Sequence, residues 1–293
     1  MPGSSQRLLV LVLGLLTLSL GMPLLPRAFF GLQGPDERID IVQLKRNIAD
    51  NAKHPAIFLA GGSNVLTGLR ATLIGDALQR PVYNLGLPGE EGDYRHVFAL
   101  LETTTRAGDT VVYASRGFHM DPPFAEQGSL SQTRYTGSGL SLPARSMLHL
   151  AIPELATSRW ERAGNFDAAG DFIPCLVHPL NLAAQPFQAS IAHRGRFLRD
   201  VVEFSARMKK RDVQMLWVAP DLLVRESDLP LWTGRYDDTQ AVLKKSEVRW
   251  LRLAPADVFI TQPSAFCDTP LHPTEKRAIA KSHLLAQQLR ALQ

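Results

Sequence analysis

Ser63 stands where a short apolar run breaks off in a glycine turn, within IFLAGGSNVLTGLR over residues 57–70. A serine hydroxyl is a weak nucleophile until a nearby base takes its proton, so its chemistry depends on what the chain can bring beside it. Gly61 and Gly62 permit a sharp turn without a Cβ clash. A helix beginning there would present the hydroxyl at the edge of a sheet, with the N–H groups of Ser63 and Asn64 toward a bound anion. A second stretch, VYNLGLPGEEG, places Gly86 and Gly89 where their N–H groups could serve a developing oxyanion, with Asn84 tying down the loop; a turn that needs glycine for its backbone angles is the other reading. A third, FCDTPLHPTEK, carries Asp268 and His272 just before the last helical segment, and Pro273 suits the start of that helix. A carboxylate that fixes the imidazole tautomer makes His272 a general base for a serine hydroxyl. Taken singly, Asp268 also reads as a helix cap and His272 as a surface residue; taken together, the three stretches read as serine-based acyl transfer.

These residues need a scaffold, and the pattern around them supplies one. Helical spacing over 36–50 precedes the short apolar run 56–60; helical spacing over 64–79 precedes PVYNLG as a second strand. Residues 91–106 read as a helix and DTVVYAS as a third strand. Later come a helix over 193–211, the strand VQMLWVAP, the strand VRWLRL and a closing helix over 273–292. Strands alternating with helices predict an α/β fold with a parallel sheet covered on both faces. Between about 120 and 190 the pattern dissolves into Pro, Gly and Ser, which reads as a long insertion or lid. A second excursion, DLLVRESDLPLWTGRYDD, follows the fourth strand. Trp217, Trp232 and Trp250 read as core or lid packing, and Trp232, in that polar excursion, is also a candidate sugar-stacking platform.

The chain of 293 residues, 45% hydrophobic and 20% charged, is sufficient for one sizeable core. Its net charge of +4 comes from 32 basic against 28 acidic side chains spread along the sequence, with no basic run that would mark a nucleic-acid partner. His54, His96, His149, His178 and His193 lack ligand spacing, so no metal site is expected. After Arg7, the stretch LLVLVLGLLTLSLGMPLLP runs for 19 residues without a charge. At ~1.5 Å per residue it spans ~30 Å, a membrane-crossing length. No small-x-small cleavage site follows, so residues 1–30 read as an uncleaved anchor and 31–293 as the body, on the far side of the membrane from the cytoplasm. In an oxidising space Cys175 and Cys267 could pair, closing a loop worth roughly 4 kcal/mol; two buried thiols is the other reading.

In order along the chain, the turn at Ser63, the NLGLPG stretch and the Asp268/His272 pair resemble blocks of the SGNH, or GDSL-type, hydrolase family. The resemblance covers most of residues 55–293. It implies a flavodoxin-like, three-layer α/β/α fold, Ser63 as nucleophile, and Asp268 and His272 as its charge partners. The oxyanion donors would be the N–H groups of Ser63, Asn64 and Gly89, with no cofactor. Two departures stand out. The family's third block supplies an asparagine to the oxyanion hole after the third strand, whereas this chain reads VVYASRGFHMD, leaving Arg116 or His119 as substitute donors or substrate-binding groups. DTPLH also sets three residues between Asp268 and His272, one more than the usual pattern. Membrane-anchored members of the family that modify envelope polymers also depart from the full set of blocks. The resemblance therefore implies a periplasmic O-acyltransferase or O-acetylesterase of a bacterial inner membrane, acting on a glycan and served by a membrane-bound acyl donor protein. The missing asparagine keeps open a second expectation, an inactive scaffold or glycan-binding subunit of an envelope polysaccharide assembly system.

Overall fold

Short, fully apolar strands flanked by turn residues are what a parallel sheet buried on both faces requires. In the computed structural model, β1 (Ile57–Gly61), β3 (Thr110–Ala114) and β4 (Gln214–Val218) form its centre, with β2 (Val82–Asn84) and β6 (Arg249–Trp250) at the edges. Residues 41–88, 94–115, 166–172, 184, 192–246, 248–267 and 269–292 are described, all within one compact unit. The strand order is β2-β1-β3-β4-β6, every pair parallel. A two-stranded parallel pair, β5 (Leu222–Leu223) with β7 (Phe259–Ile260), lies apart from it. The winding reverses between β1 and β3, which makes the ends of those two strands the topological switch point where doubly wound sheets place their sites.

The helices are α1 (Ile41–Asp50), α2 (Ser63–Gly68), α3 (Ala71–Leu78), α4 (Tyr94–Thr104), α5 (Ala192–Lys210), α6 (Leu229–Lys245) and α7 (Glu275–Arg290). Strand alternation divides the core. Ile57, Leu59, Val112, Ala114, Leu216 and Val218 pack with Ile74 and Leu78 of α3 and Leu285 and Leu289 of α7. The residues between them point the other way: Tyr113 and Trp217 meet Phe98 of α4, which stacks on Phe204 of α5 with centroids 3.9 Å apart. Burying each of these large side chains contributes about 1.5–3 kcal/mol.

Three expectations change. The single helix over 64–79 is two helices, because Leu69 and Arg70 are extended, with φ of −130° and −118°. Tertiary partners replace the helical ladder there: the N–H of Arg70 donates to Ser282 Oγ at 2.8 Å, and those of Ala71 and Thr72 donate to the Asp171 carboxylate at 2.8 and 3.1 Å. The excursion after β4 holds β5 and the 17-residue α6, whose buried Trp232, Tyr236, Thr239 and Leu243 recur at helical spacing among polar residues. The strand expected over VRWLRL shortens to two residues at the sheet edge. The apolar stretch expected to anchor the chain, and most of the 120–190 insertion, lie outside the described residues. Among the described residues no helix is long and apolar enough to cross a membrane.

Candidate active site

The turn that carries Ser63 is fixed by a close approach of two strand ends. At Gly61, φ is +152° and a Cβ would sit 2.1 Å from the carbonyl oxygen of Ala114 and 2.6 Å from Val65, so only glycine lets β1 leave the sheet beside β3. Gly62 caps α2, its carbonyl accepting the N–H of Val65 at 2.9 Å. Ser63 is the first helical residue, half-buried, and its N–H and that of Asn64 have no acceptor within their own helix. The Asn64 side chain is occupied elsewhere, Nδ2 donating to Ala114 O at 3.3 Å, so any oxyanion role falls to its backbone.

His272 reaches this serine from the far end of the sequence. The backbone of 265–267 pairs with that of 272–274: Cys267 N–H donates to His272 O at 2.8 Å, and Thr274 N–H to Ala265 O at 2.8 Å. This pinned segment leads into α7 and holds a buried imidazole with Nε2 2.8 Å from Ser63 Oγ. A hydroxyl and a ring nitrogen at that separation share a hydrogen bond along which a proton can move. Cys267 is disulfide-bonded, and the chain's other cysteine is Cys175. Asp268, Gly89, Arg116, His119 and Cys175 lie outside the described residues.

Asn84 ties down its loop, and it does more. Its Nδ2 lies within hydrogen-bond distance of Val65 O at 3.2 Å, Leu69 O at 3.3 Å and Asp171 at 3.1 Å, while its Oδ1 accepts the N–H of Gly86 at 2.9 Å. The Gly86 N–H is thereby consumed, and Gly86 is not an oxyanion donor. Its glycine identity has another cause: a Cβ there would lie 2.4 Å from the backbone nitrogen of Leu66. Asp171, buried against the start of α3, has its carboxyl pushed above the usual range by burial, opposed by the N–H groups of Ala71 and Thr72. Beneath it, Lys45 is fully buried and donates to Asn84 O at 2.8 Å and Gly170 O at 2.5 Å. Burial lowers its ammonium to about 7, against the pull of Asp171 and Asp167.

Trp232 is not a sugar-stacking platform. It is 1% exposed, in the core with Tyr236 and Phe259, because α6 turns its apolar stripe inward. Sequence reasoning also missed a buried ion cluster: Asp221, immediately before β5, receives Arg277 Nε at 2.7 Å and Lys281 Nζ at 2.7 Å from α7. The i, i+4 spacing of Arg277 and Lys281 on a helix was the available signal, but nothing in the sequence names Asp221 as their partner.

No protein-family model matches the chain, and no curated protein matches it. Among solved structures, the chain is similar to a lipolytic protein of the G-D-S-L family from Desulfitobacterium hafniense DCB-2, with 9% identity, 80% of this chain and 99% of that chain covered, and a TM-score of 0.43. It is also similar to a lipase/acylhydrolase from Enterococcus faecalis, with 10% identity, 81% and 96% covered, and a TM-score of 0.41.

Proposed function

We propose that the protein is a serine-dependent acyl-transfer enzyme, an O-acetylesterase or O-acyltransferase acting on a cell-envelope or exported polysaccharide. One observation carries the reading: Ser63 Oγ and His272 Nε2, 209 residues apart in sequence, meet at 2.8 Å at the switch point of the sheet. A scaffold or glycan-binding subunit has no need of that contact, so the enzyme reading is preferred to the inactive one. The apolar stretch over 8–26 supports a single-pass anchor in a bacterial inner membrane with the body in the periplasm. In that setting a membrane-bound donor protein would supply the acyl group.

Ser63 Oγ attacks the ester carbonyl carbon while its proton passes to His272 Nε2. The tetrahedral oxyanion lies against the backbone N–H groups of Ser63 and Asn64, and the family resemblance assigns Gly89 as a further donor. Collapse expels the alcohol, which takes the proton back from the imidazolium and leaves an acyl-serine. Water or a sugar hydroxyl then gives its proton to His272, attacks the acyl carbon and frees Ser63. Asp268 would orient the imidazole and stabilise its cation. No step uses a cofactor.

The test is hydrolysis of a small acetyl ester by the full-length chain and its Ser63→Ala variant, with mass spectrometry of the trapped acyl-enzyme. The expected result is acetylation at Ser63 and a rate at least ~1,000-fold lower in the variant. Equal rates and no adduct on folded protein would refute the serine mechanism. C-terminal topology reporters, active only outside the cytoplasm, test the anchor.

A further inference from the structure

We propose that the Arg70–Glu275 ion pair positions the reacting pair, holding His272 within reach of Ser63 through the two segments it joins; the inference rests on the acyl-transfer reading above. Three contacts connect α2 to the segment entering α7, in matching order. Ser63 meets His272 at the first. At the second, Gly68 packs so closely on Pro273 that an added Cβ would come within 3.1 Å of its ring. At the third, Arg70 Nε donates to Glu275 Oε1 at 3.0 Å and a second guanidinium nitrogen donates to Oε2.

The guanidinium also serves the nucleophile's own helix. Its remaining nitrogen donates to Thr67 O at 3.1 Å and Leu69 O at 3.0 Å, the carbonyls at the end of α2. The Arg70 N–H donates to Ser282 Oγ at 2.8 Å, a further tie to α7. Arg70 lies two residues past the six-residue α2, and because its guanidinium holds the carbonyls at that end, a shift there is transmitted through one short helix to Ser63 at its start. Only two residues, Pro273 and Thr274, separate His272 from Glu275, and Pro273 restricts the chain between them. A two-pronged guanidinium–carboxylate contact fixes orientation as well as distance, which a lysine's single ammonium does not. The Arg70 side chain is 9% exposed and that of Glu275 48%, so the pair has one rigid partner and one that a substitution can alter without opening the core.

The experiment uses the full-length protein and its Arg70→Lys and Glu275→Gln variants. A fluorophosphonate that labels activated serines gives both the labelling rate and the final labelled fraction; kcat and KM are measured on an acetyl ester. Positioning predicts complete labelling at Ser63 but a labelling rate and kcat lower by about 10- to 100-fold, with KM unchanged. Wild-type rates in both variants would overturn the inference. So would a loss that appears only as a smaller labelled fraction with an unchanged rate per labelled site, the mark of a merely structural tie. Should Arg70→Lys fail to fold, Glu275→Gln, altered at a half-exposed position, decides alone. Absence of Ser63 labelling in the wild type would instead refute the acyl-transfer reading, and the inference with it.

Discussion

Lys45 should make the stability of this protein rise with pH through the neutral range, against the behaviour of an ordinary surface lysine. Its ammonium is buried, and burial lowers its pKa from 10.5 to about 7 in the folded chain. Between those values the unfolded chain binds more protons than the folded one, so the free energy of unfolding increases as pH rises. Below about 7 both states carry the charge and the burden on folding is constant; near 10.5 it has been relieved. Integrating from about pH 7 to about pH 9 gives a gain of about 2 kcal/mol. The comparison is Lys45→Met, which keeps most of the stem and cannot titrate. That variant leaves Asn84 O and Gly170 O without their donor, a penalty of about 1–3 kcal/mol per carbonyl that does not depend on pH. Urea unfolding of both proteins across that pH range isolates Lys45 together with the carboxylates it faces, Asp171 and Asp167, since groups that do not interact with it cancel. The wild-type curve should climb relative to the variant by about 2 kcal/mol. Parallel curves would refute the reasoning, because they would mean that Lys45 titrates alike in the folded and unfolded chain.

Two further substitutions separate the site's frame from the core. Gly61→Ala forces a Cβ to within 2.1 Å of Ala114 O, so β1 and β3 must part where Ser63 leaves the sheet. Urea unfolding should show a loss of about 3 kcal/mol, and any folded fraction should react slowly with a serine-directed fluorophosphonate. Trp232→Ala should cost about 3–5 kcal/mol in the same assay, while KM for a glycan ester stays unchanged in the folded protein. A raised KM with little loss of stability would restore Trp232 to the substrate surface.

Local signals were legible in this sequence and long-range satisfaction was not. The strands over 57–61, 110–114 and 214–218 declare themselves as apolar runs bounded by turn residues, since a parallel strand buried on both faces has no polar alternative. Ser63 and His272 could be picked out because a glycine turn after a strand and a histidine before a final helix are local patterns. The break at Leu69–Arg70 could not. Its cause is Ser282 and Asp171, about 212 and 100 residues away in sequence, and helical spacing on either side reads straight across it. Trp232 was misplaced for the converse reason: its polar neighbours Arg235, Asp237 and Asp238 conceal the apolar stripe of α6.

The same distinction bears on how the site is built. The asparagine absent from the stretch after β3 draws attention because a chemical role was expected there, yet the asparagine that holds this site together is Asn84, which touches no reacting atom. It spends one amide on the carbonyls of α2, the carboxylate that starts α3 and the N–H of the following loop. Losing it would leave the buried Gly86 N–H unmatched, at a cost of about 1–3 kcal/mol, and would remove one donor each from Val65 O, Leu69 O and the Asp171 carboxylate. Arg70 does the equivalent work where α2 meets α7. Ser63 thus sits on a helix too short to hold its own position, and the precision a proton transfer needs is supplied by buried polar side chains drawn from β2, α7 and the 166–172 segment.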